Sequence, residues 1–409
     1  GNARSAVAFD TIRRYFEYCG YTVNYISNFT DVDDKIIKAA NEAGISTKEL
    51  SDKFIAAFME DTGQLGIKPA TQNPRVINYM DEIIAFVSTL VDKGFAYVSE
   101  GDVYFRVAKS NNYAKLANKT LEDLEIGASG RTDAETERKE NPLDFALWKA
   151  AKEGEVSWDS PWGPGRPGWH IECSVMATEI LGDTIDIHGG GADLEFPHHT
   201  NEIAQSEAKT GKTFANYWMH NGFVNVDNEK MSKSLGNFVT VHDMLQTVDG
   251  QVLRFFLATQ QYRKPINFTE KAIHDAEVNL KYLKNTHSLP LTEQVNQAEL
   301  QTYLDAFQEA MDDDFNTANG VTVLFDMAKW INSGNYDETV KDAFEKMLQV
   351  FGIVFEEEVL DEDIEKLIEE RQAARANKDF ATADRIRDEL AAQGIKLLDT
   401  KEGVRWTRD

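Results

Sequence analysis

Two short runs of the 409-residue sequence carry side chains suited to chemistry on one substrate. Residues 230–234 read Lys-Met-Ser-Lys-Ser, and on a flexible loop the ammonium groups of Lys230 and Lys233 suit the phosphates of ATP. Further upstream, His198 and Glu202 are four residues apart, a spacing that places two metal ligands on one helix face. Cys173 supplies a third possible ligand. The sequence therefore predicts adenylate chemistry beside a metal.

The three possible ligands form a selective donor set. Zinc accepts imidazole nitrogen, carboxylate oxygen and thiolate sulfur. His198 and Glu202 would lie on a helix that begins after Pro197, and Cys173 could join them from a separate segment. A metal held in this way with an open position would favour a thiol substrate. The spacing alone is also compatible with a histidine at a helix start, a surface glutamate and a buried structural cysteine. Only the neighbouring motifs favour the metal.

A run of three glycines precedes the histidine motif. Gly189-Gly190-Gly191 follows a predicted strand over 184–188, where backbone can approach a nucleotide closely. Asp193 could accept a hydrogen bond from a ribose hydroxyl. A plain turn at the end of a strand would contain the same glycines, and both interpretations stay open at this point.

The elements around these motifs indicate an α/β protein. Phe9 and Phe16 share one face of a first helix, and alternation over 21–26 predicts a strand after it. A hairpin is predicted over 97–107, and the polar segment 110–142 is typical of an irregular insertion. The sheet is expected to resume beyond this insertion.

The last part of the chain has a different pattern. From about Asn285 it becomes helical and acidic, which predicts a helical bundle. The final 40 residues are locally enriched in basic side chains, among them Arg375, Lys378 and Arg387, which could contact RNA phosphates. Trp406 could stack an unpaired base or cap a small core, and the sequence favours neither.

The overall charge bears on possible partners. The chain has 43 basic and 69 acidic side chains, a net charge of −26, which repels polyanions at long range. A nucleic-acid partner would therefore have to use local basic faces.

Composition also bears on the compartment and on the remaining cysteine and histidines. Two cysteines cannot form a disulfide framework, and no apolar run approaches the roughly 20 residues needed to cross a bilayer. We expect a reducing cytoplasm and no membrane contact. Cys19 is expected in the core, and His199 and His220 are expected outside the metal shell.

The ordered motifs resemble those of the cysteinyl-tRNA synthetases, a family of class I aminoacyl-tRNA synthetases. The resemblance covers almost the whole chain. The matching blocks are 28–35, 165–173 (Gly-Arg-Pro-Gly-Trp-His-Ile-Glu-Cys), 188–193, 196–202, 218–223, 230–234, 311–317 (Met-Asp-Asp-Asp-Phe-Asn-Thr) and 378–384. Residues 1–4, Gly-Asn-Ala-Arg, resemble the second half of the family's first signature. Further residues are therefore expected before Gly1, and a chain lacking them is expected to be impaired.

The resemblance implies an α/β fold in which a Rossmann-type parallel-sheet catalytic domain, split by an insertion, precedes a mostly helical C-terminal region. The expected divisions are 1–80 for the first half of the catalytic domain without its first strand, 81–164 for the connective insertion, 165–225 for the second half with the zinc site, 226–285 for the stem-contact region with the Lys-Met-Ser-Lys-Ser loop, and 286–409 for the helical anticodon-binding region.

The resemblance also implies the reaction and its partners. Cysteine would be activated with ATP and Mg²⁺ and then transferred to the terminal ribose 2′-OH of tRNA(Cys) by a monomeric enzyme. One Zn²⁺ per chain would be held by Cys173, His198 and Glu202, with a fourth cysteine ligand expected before Gly1.

The remaining site residues follow from the same resemblance. The catalytic lysines would be Lys230 and Lys233, and ATP would be bound by Gly1, Asn2, Gly189, Gly191, Asp193 and Lys233. Cysteine would be bound by Thr30, Trp169 and His188. The tRNA would be bound by Arg375, Lys378, Arg387 and Trp406.

Two other functions share these motifs. A ligase that joins activated cysteine to an amino sugar would have the same catalytic core, but the long region after residue 290 argues against it. A regulatory RNA-binding paralogue would not need the lysines and the metal ligands together. Transfer of cysteine to tRNA, to an amino sugar or to neither would separate the three.

Overall fold

Contacts divide the chain into two units, Gly1–Val354 and Phe355–Asp409. The structure, a computed structural model, describes residues 1–128, 136–232, 235–237, 239–356 and 362–408. The helices are α1 (Asn2–Tyr18), α2 (Asp34–Ala43), α3 (Thr47–Gln64), α4 (Met80–Asp92), α5 (Leu121–Ala128), α6 (Trp169–Leu181), α7 (Thr200–Thr210), α8 (Val241–Met244), α9 (Gly250–Ala258), α10 (Glu270–His287), α11 (Gln297–Asp312), α12 (Thr317–Asn332), α13 (Glu338–Val350), α14 (Glu362–Ala376) and α15 (Phe380–Ala392). The strands are β1 (Ala96–Ser99), β2 (Asp102–Phe105), β3 (Phe145–Ala150), β4 (Gly165–Pro167), β5 (Ile185–Gly191), β6 (Ala215–Asn221), β7 (Val224–Val226), β8 (Glu229–Lys230), β9 (Ile266–Phe268), β10 (Ile395–Thr400) and β11 (Gly403–Arg408).

The parallel pair β5–β6 carries the motif residues. Ile185 lies opposite Ala215 and Gly191 opposite Asn221, and α7 forms the crossover between the two strands. Phe214 and Ile203 pack with both strands in a small buried core. Polar residues that end β5 and β6 therefore meet at one edge of the sheet, which is where α/β folds of this kind commonly bind ligands.

Strands β1 to β4 form an antiparallel sheet of order β1-β2-β3-β4, of which β1 to β3 lie within the predicted insertion 81–164 and β4 lies just beyond it. The hairpin predicted over 97–107 is confirmed as β1 and β2, with Ala96 opposite Phe105. Phe86, Phe105 and Trp148 are almost fully buried against this sheet. The insertion is therefore anchored by a substantial apolar core.

Of three local predictions, two were wrong. Segment 21–26 is not a regular strand, because it joins its neighbour only through isolated parallel bridges, such as Ile26 with Gln72. Cys19 is exposed and not in the core, since it follows the last residue of α1. The helix predicted after Pro197 is confirmed, because Phe196 is extended (φ −140°, ψ 131°) and the helical turn that follows it runs directly into α7 at Thr200.

The helical bundle predicted from about Asn285 is confirmed by α10 to α13. Leu283, Phe307, Leu324 and Phe344 are each 0% exposed. These side chains recur at helical spacing on successive helices, so the acidic residues between them face solvent.

The second unit combines α14 and α15 with the antiparallel hairpin of β10 and β11. Ile386, Leu390 and Ile395 form its buried centre, against which Trp406 packs. The sequence analysis did not predict this hairpin. Across the described part of the chain, no helix is long and apolar enough to cross a membrane.

Candidate active site

The three predicted metal ligands lie together. Cys173 comes from α6, His198 from the turn before α7, and Glu202 from α7, and their ligand atoms all lie within 4.8 Å of one another. His198 Nε2 is 3.4 Å from Glu202 Oε2. Zinc bonds of about 2.0–2.3 Å in a tetrahedron separate neighbouring ligand atoms by roughly 3.3–3.8 Å, so the distance between His198 and Glu202 already suits two zinc ligands.

Glu202 is the centre of the cluster. The residue is 0% exposed, and among the described residues its Oε1 has no hydrogen-bond partner. Its Oε2 lies 3.2 Å from His188 Nε2 and 3.7 Å from His199 Nε2. A buried carboxylate oxygen without a partner is costly, and a metal ion would satisfy it. The donor set therefore fits a cation, although His188, His199 and Glu202 form a second possible group.

The protonation states also suit metal binding. Burial raises the pKa of Glu202, but His188 and the neighbouring imidazoles outweigh this effect and lower it to about 2. Burial lowers the pKa of His198 and that of His199, the latter to about 2. Burial raises the pKa of the Cys173 thiol well above its usual range. At neutral pH the site thus offers a carboxylate and neutral imidazoles, and a metal would displace the thiol proton.

Side chains around the cluster fix its orientation. His170 Nδ1 lies 2.9 Å from His198 Nδ1, which leaves His198 Nε2 directed at Glu202. The Trp169 ring stacks on His198 with centroids 3.9 Å apart. The Asn28 amide donates to Cys173 Sγ at 3.6 Å. Sequence reasoning did not assign His170 or Asn28 a role, although both lie inside the quoted motifs.

Two of the three residues predicted to bind cysteine border the same cluster. Trp169 contacts His198, and His188 contacts Glu202. Thr30 is partly buried in the segment that contains Asn28. Trp169 keeps 43% of its surface exposed, so its ring forms an accessible wall beside the metal ligands.

The three glycines end β5 and do not form a turn after it, which corrects that expectation. A Cβ on Gly189 would lie 2.5 Å from the Phe9 ring of α1. A Cβ on Gly191 would lie 2.5 Å from Asp193 Oδ1. The first of these close approaches seats α1, which begins at Asn2 with Gly1 as its N-cap, against the edge of the sheet. Gly189, Gly191 and Asp193, three of the residues predicted to bind ATP, therefore lie together at this edge.

Lys230 lies on β8 and not on a flexible loop, which corrects the expectation for this residue. It is paired with Asn225 of β7, and its carbonyl oxygen accepts a hydrogen bond from Asn237 Nδ2 at 3.3 Å. Asn237 Oδ1 also accepts from the Ser232 backbone N–H at 2.9 Å. Lys233 lies outside the described residues.

A shallow cleft lies between the start of α1 and the β7–β8 hairpin. Gly1, Arg4, Val224 and Met231 are among its lining residues. The first helical turn has backbone N–H groups without partners in the helix, which suit an anion. The cleft thus brings an apolar wall and a helix N-terminus to the same place.

The residues predicted to bind tRNA belong to the second unit. Arg375 forms an ion pair of 2.8 Å with Asp399, and Arg387 lies 3.6 Å from Asp384. Lys378 is exposed at a left-handed backbone position, φ 59°. Trp406 packs on the apolar centre of its unit. Acidic neighbours thus partly neutralise the basic enrichment seen in the sequence.

Comparison with family models covers nearly all of the chain. The family described as tRNA synthetases class I (C) catalytic domain matches residues 1–278. The DALR domain matches residues 306–356, and the cysteinyl-tRNA ligase anticodon binding domain matches residues 357–406.

Individual proteins agree with these matches. The chain is 95% identical to the cysteine–tRNA ligase of Streptococcus thermophilus (strain CNRZ 1066) over 409 residues, all of this chain and 92% of that protein. It is 82% identical to the cysteine–tRNA ligase of Streptococcus agalactiae serotype III (strain NEM316), with the same coverage. The fold resembles Mycobacterium tuberculosis methionyl-tRNA synthetase in complex with methionyl-adenylate, with a TM-score of 0.60, 16% identity and 86% of each chain covered. These matches, together with the clustered motif residues, show that the chain belongs to the cysteine–tRNA ligases, a family of class I aminoacyl-tRNA synthetases.

Proposed function

We propose that the protein activates cysteine with ATP to give cysteinyl-adenylate and pyrophosphate, and then transfers the cysteinyl group to the 2′-OH of the terminal ribose of tRNA(Cys). The observation that carries this proposal is the placement of Cys173, His198 and Glu202 in one buried cluster. His198 and Glu202 follow the glycine-ended strand β5 along the chain, and His188 of that strand contacts Glu202. A thiol-selective site therefore adjoins the sheet edge expected for the nucleotide.

Zinc is the metal that this donor set fits. Cys173, His198 and Glu202 would hold it, and the unpartnered Glu202 Oε1 supports that assignment. When bound, zinc would coordinate the substrate thiolate and discriminate against the hydroxyl of serine, which is a poor ligand. An apolar pocket alone separates such near-isosteres by only about 10- to 200-fold. The side chains that would shape the pocket are Thr30, Trp169 and His188.

The negative charge of the ATP phosphates must be neutralised by groups on the nucleotide side of the site. We assign phosphate contacts to Lys230 and Lys233, together with the Mg²⁺ that accompanies ATP. The start of α1 at Gly1 and Asn2 and the edge formed by Gly189, Gly191 and Asp193 would position the nucleotide. Preorganised donors of this kind stabilise charge as pyrophosphate leaves, so their loss should affect the rate more than substrate affinity.

For tRNA we keep the predicted divisions as part of the proposal. Residues 226–285 would contact the acceptor stem, and residues 286–409 would bind the anticodon region. Arg375, Lys378, Arg387 and Trp406 are the candidate contacts, and the exposed position of Lys378 supports its inclusion. We propose that the enzyme acts as a monomer.

Cysteine-dependent ATP-pyrophosphate exchange tests the proposal. It should be measured with and without a zinc chelator and with serine in place of cysteine. We expect exchange with cysteine only, and loss of exchange on chelation. Serine working as well as cysteine would contradict zinc selection, and an absence of exchange with either amino acid would contradict the proposed activity.

A further inference from the structure

Arg4, near the start of α1, is a buried cation held by backbone carbonyl groups. It is 1% exposed, and none of the described carboxylates forms an ion pair with it. Its Nη2 donates to the carbonyl oxygens of Gln261 and Tyr262 at 3.1 and 3.2 Å, and its Nη1 donates to that of Gly222 at 3.4 Å. Burial lowers the pKa of Arg4 to about 10. The position of this charge therefore depends on the backbone at 261–262.

The side chains of segment 261–263 converge on one acidic residue, Asp314, while the Tyr262 carbonyl oxygen also accepts from the Gly222 backbone N–H at 2.8 Å. Tyr262 Oη donates to Asp314 Oδ1 at 2.8 Å, and Arg263 Nε donates to Asp314 Oδ2 at 2.5 Å. Gln261 Nε2 donates to the Asp314 carbonyl oxygen at 3.2 Å. Three consecutive residues thus bond to Asp314, two through its carboxylate and one through its backbone.

Asp314 itself is in an unusual conformation. It has φ 51° and Phe315 has φ 53°, both in the left-handed region. Non-glycine residues in this region are strained and persist when surrounding contacts require them. The Phe315 ring packs against Tyr15 and Phe16 of α1, with centroids 6.0 and 5.4 Å apart. The turn between α11 and α12 therefore holds α1 and the 261–263 segment at once.

We propose that Asp314 is a positioning residue for the adenylation step. It fixes segment 261–263, whose carbonyl groups fix the Arg4 guanidinium, and Arg4 lines the same cleft as Met231. This inference rests on the proposed function, because it assumes that ATP reacts at the start of α1. A displaced α1 would misalign the groups at the helix start that face the phosphates, and small displacements of this kind lower the rate steeply.

The first test is Asp314→Asn, which keeps the shape and removes the charge that holds Arg263. We expect kcat for cysteine-dependent ATP-pyrophosphate exchange to fall about tenfold, with KM for cysteine unchanged. Asp275→Asn is the matched control, because Asp275 forms an exposed 2.8 Å ion pair with Lys271 on α10, outside this path. A lower melting temperature with unchanged kcat would overturn the proposal.

A double substitution tests the route through Arg4. Arg4→Lys alone should also lower kcat, and Asp314→Asn combined with Arg4→Lys should be little worse than Arg4→Lys, because both act on one path. If the two substitutions lowered kcat independently, so that their fold losses multiplied, the route from Asp314 through Arg4 would be overturned.

A second measurement does not need the reaction. Amide hydrogen exchange in the first two turns of α1 should become faster in Asp314→Asn and stay unchanged in Asp275→Asn. Unchanged exchange in both would overturn the linkage. Failure of the proposed function is recognised separately, since the unaltered protein would then show no cysteine-dependent exchange of pyrophosphate.

Discussion

The ammonium nitrogen of Lys230 lies 3.9 Å from the centroid of the Phe223 ring. Phe223 keeps 36% of its surface exposed, so the contact lies at the surface and contributes about 0.5–1 kcal/mol. Because the Lys230 backbone is held by β7, only the side chain can move between this ring and a phosphate. If Lys230 binds a phosphate of ATP as proposed, the aromatic contact competes with ATP for the same ammonium group.

The first prediction follows from this competition. Phe223→Leu should lower KM for ATP about two- to fivefold in the exchange reaction without lowering kcat, since the free state loses about 0.5–1 kcal/mol of stabilisation. Phe54→Leu is the control, because Phe54 is an exposed aromatic residue on α3. A rise in KM for ATP would mean instead that Phe223 holds Lys230 in its working position.

The second prediction concerns the metal cluster. His198→Gln should lose zinc and cysteine activation together, with exchange falling at least about 100-fold, because the variant removes a ligand and not only an orienting contact. His242→Gln is the control, since His242 is exposed on α8 and pairs with Asp61. Zinc content by elemental analysis and exchange rate are measured on the same samples. Retention of both by His198→Gln would place His198 outside the metal shell.

Local spacing was enough to find the ligand pair, because residues four apart on a helix are neighbours whatever the rest of the fold does. It could not assign His170, whose role depends on α6 bringing its ring within 2.9 Å of His198. The position of Lys230 was missed for a similar reason. Its strand exists only because β7 also pairs with β9, which begins 36 residues later at Ile266. A strand of two residues has too short a sequence pattern to reveal such long-range pairing.

The third prediction separates structural from binding arginines in the second unit. Arg371 is 6% exposed and donates twice to Asp399 at 2.9 Å, whereas Arg387 is exposed. Arg371→Gln should therefore destabilise the unit by about 1 kcal/mol or less and speed amide exchange in α14 and β10. Arg387→Gln should leave amide exchange unchanged and weaken tRNA binding. The reverse pattern in binding and amide exchange would contradict both assignments.

The same ion pair predicts a pH dependence. The hydrogen bonds from Arg371 hold the pKa of Asp399 below its usual range. A depressed carboxyl pKa stabilises the folded unit at neutral pH, and this contribution is lost as the pH falls through the folded pKa. The difference in amide exchange between the unaltered protein and Asp399→Asn should therefore be present at pH 7 and shrink in acid. If the difference in amide exchange grew in acid, the depressed pKa of Asp399 would be contradicted.

The last prediction tests the packing at the end of β5. A Cβ on Gly190 would lie 2.8 Å from Leu194 Cδ1 and 3.0 Å from His199 Cε1, so Gly190→Ala must displace one of them. Overpacking of this kind costs about 1–3 kcal/mol. Because His199 contacts Glu202, we also expect weaker cysteine binding, measured as a higher KM in the exchange reaction.

Gly63→Ala provides the matched control for this prediction. Gly63 lies within α3, and nothing is within 4 Å of its added Cβ. Alanine is favoured over glycine inside a helix by about 1 kcal/mol, so this variant should be slightly more stable and have an unchanged KM for cysteine. Thermal unfolding and KM are measured for both variants. If Gly190→Ala matched Gly63→Ala in both measurements, the close approach of His199 to β5 would have no role in shaping the cysteine pocket.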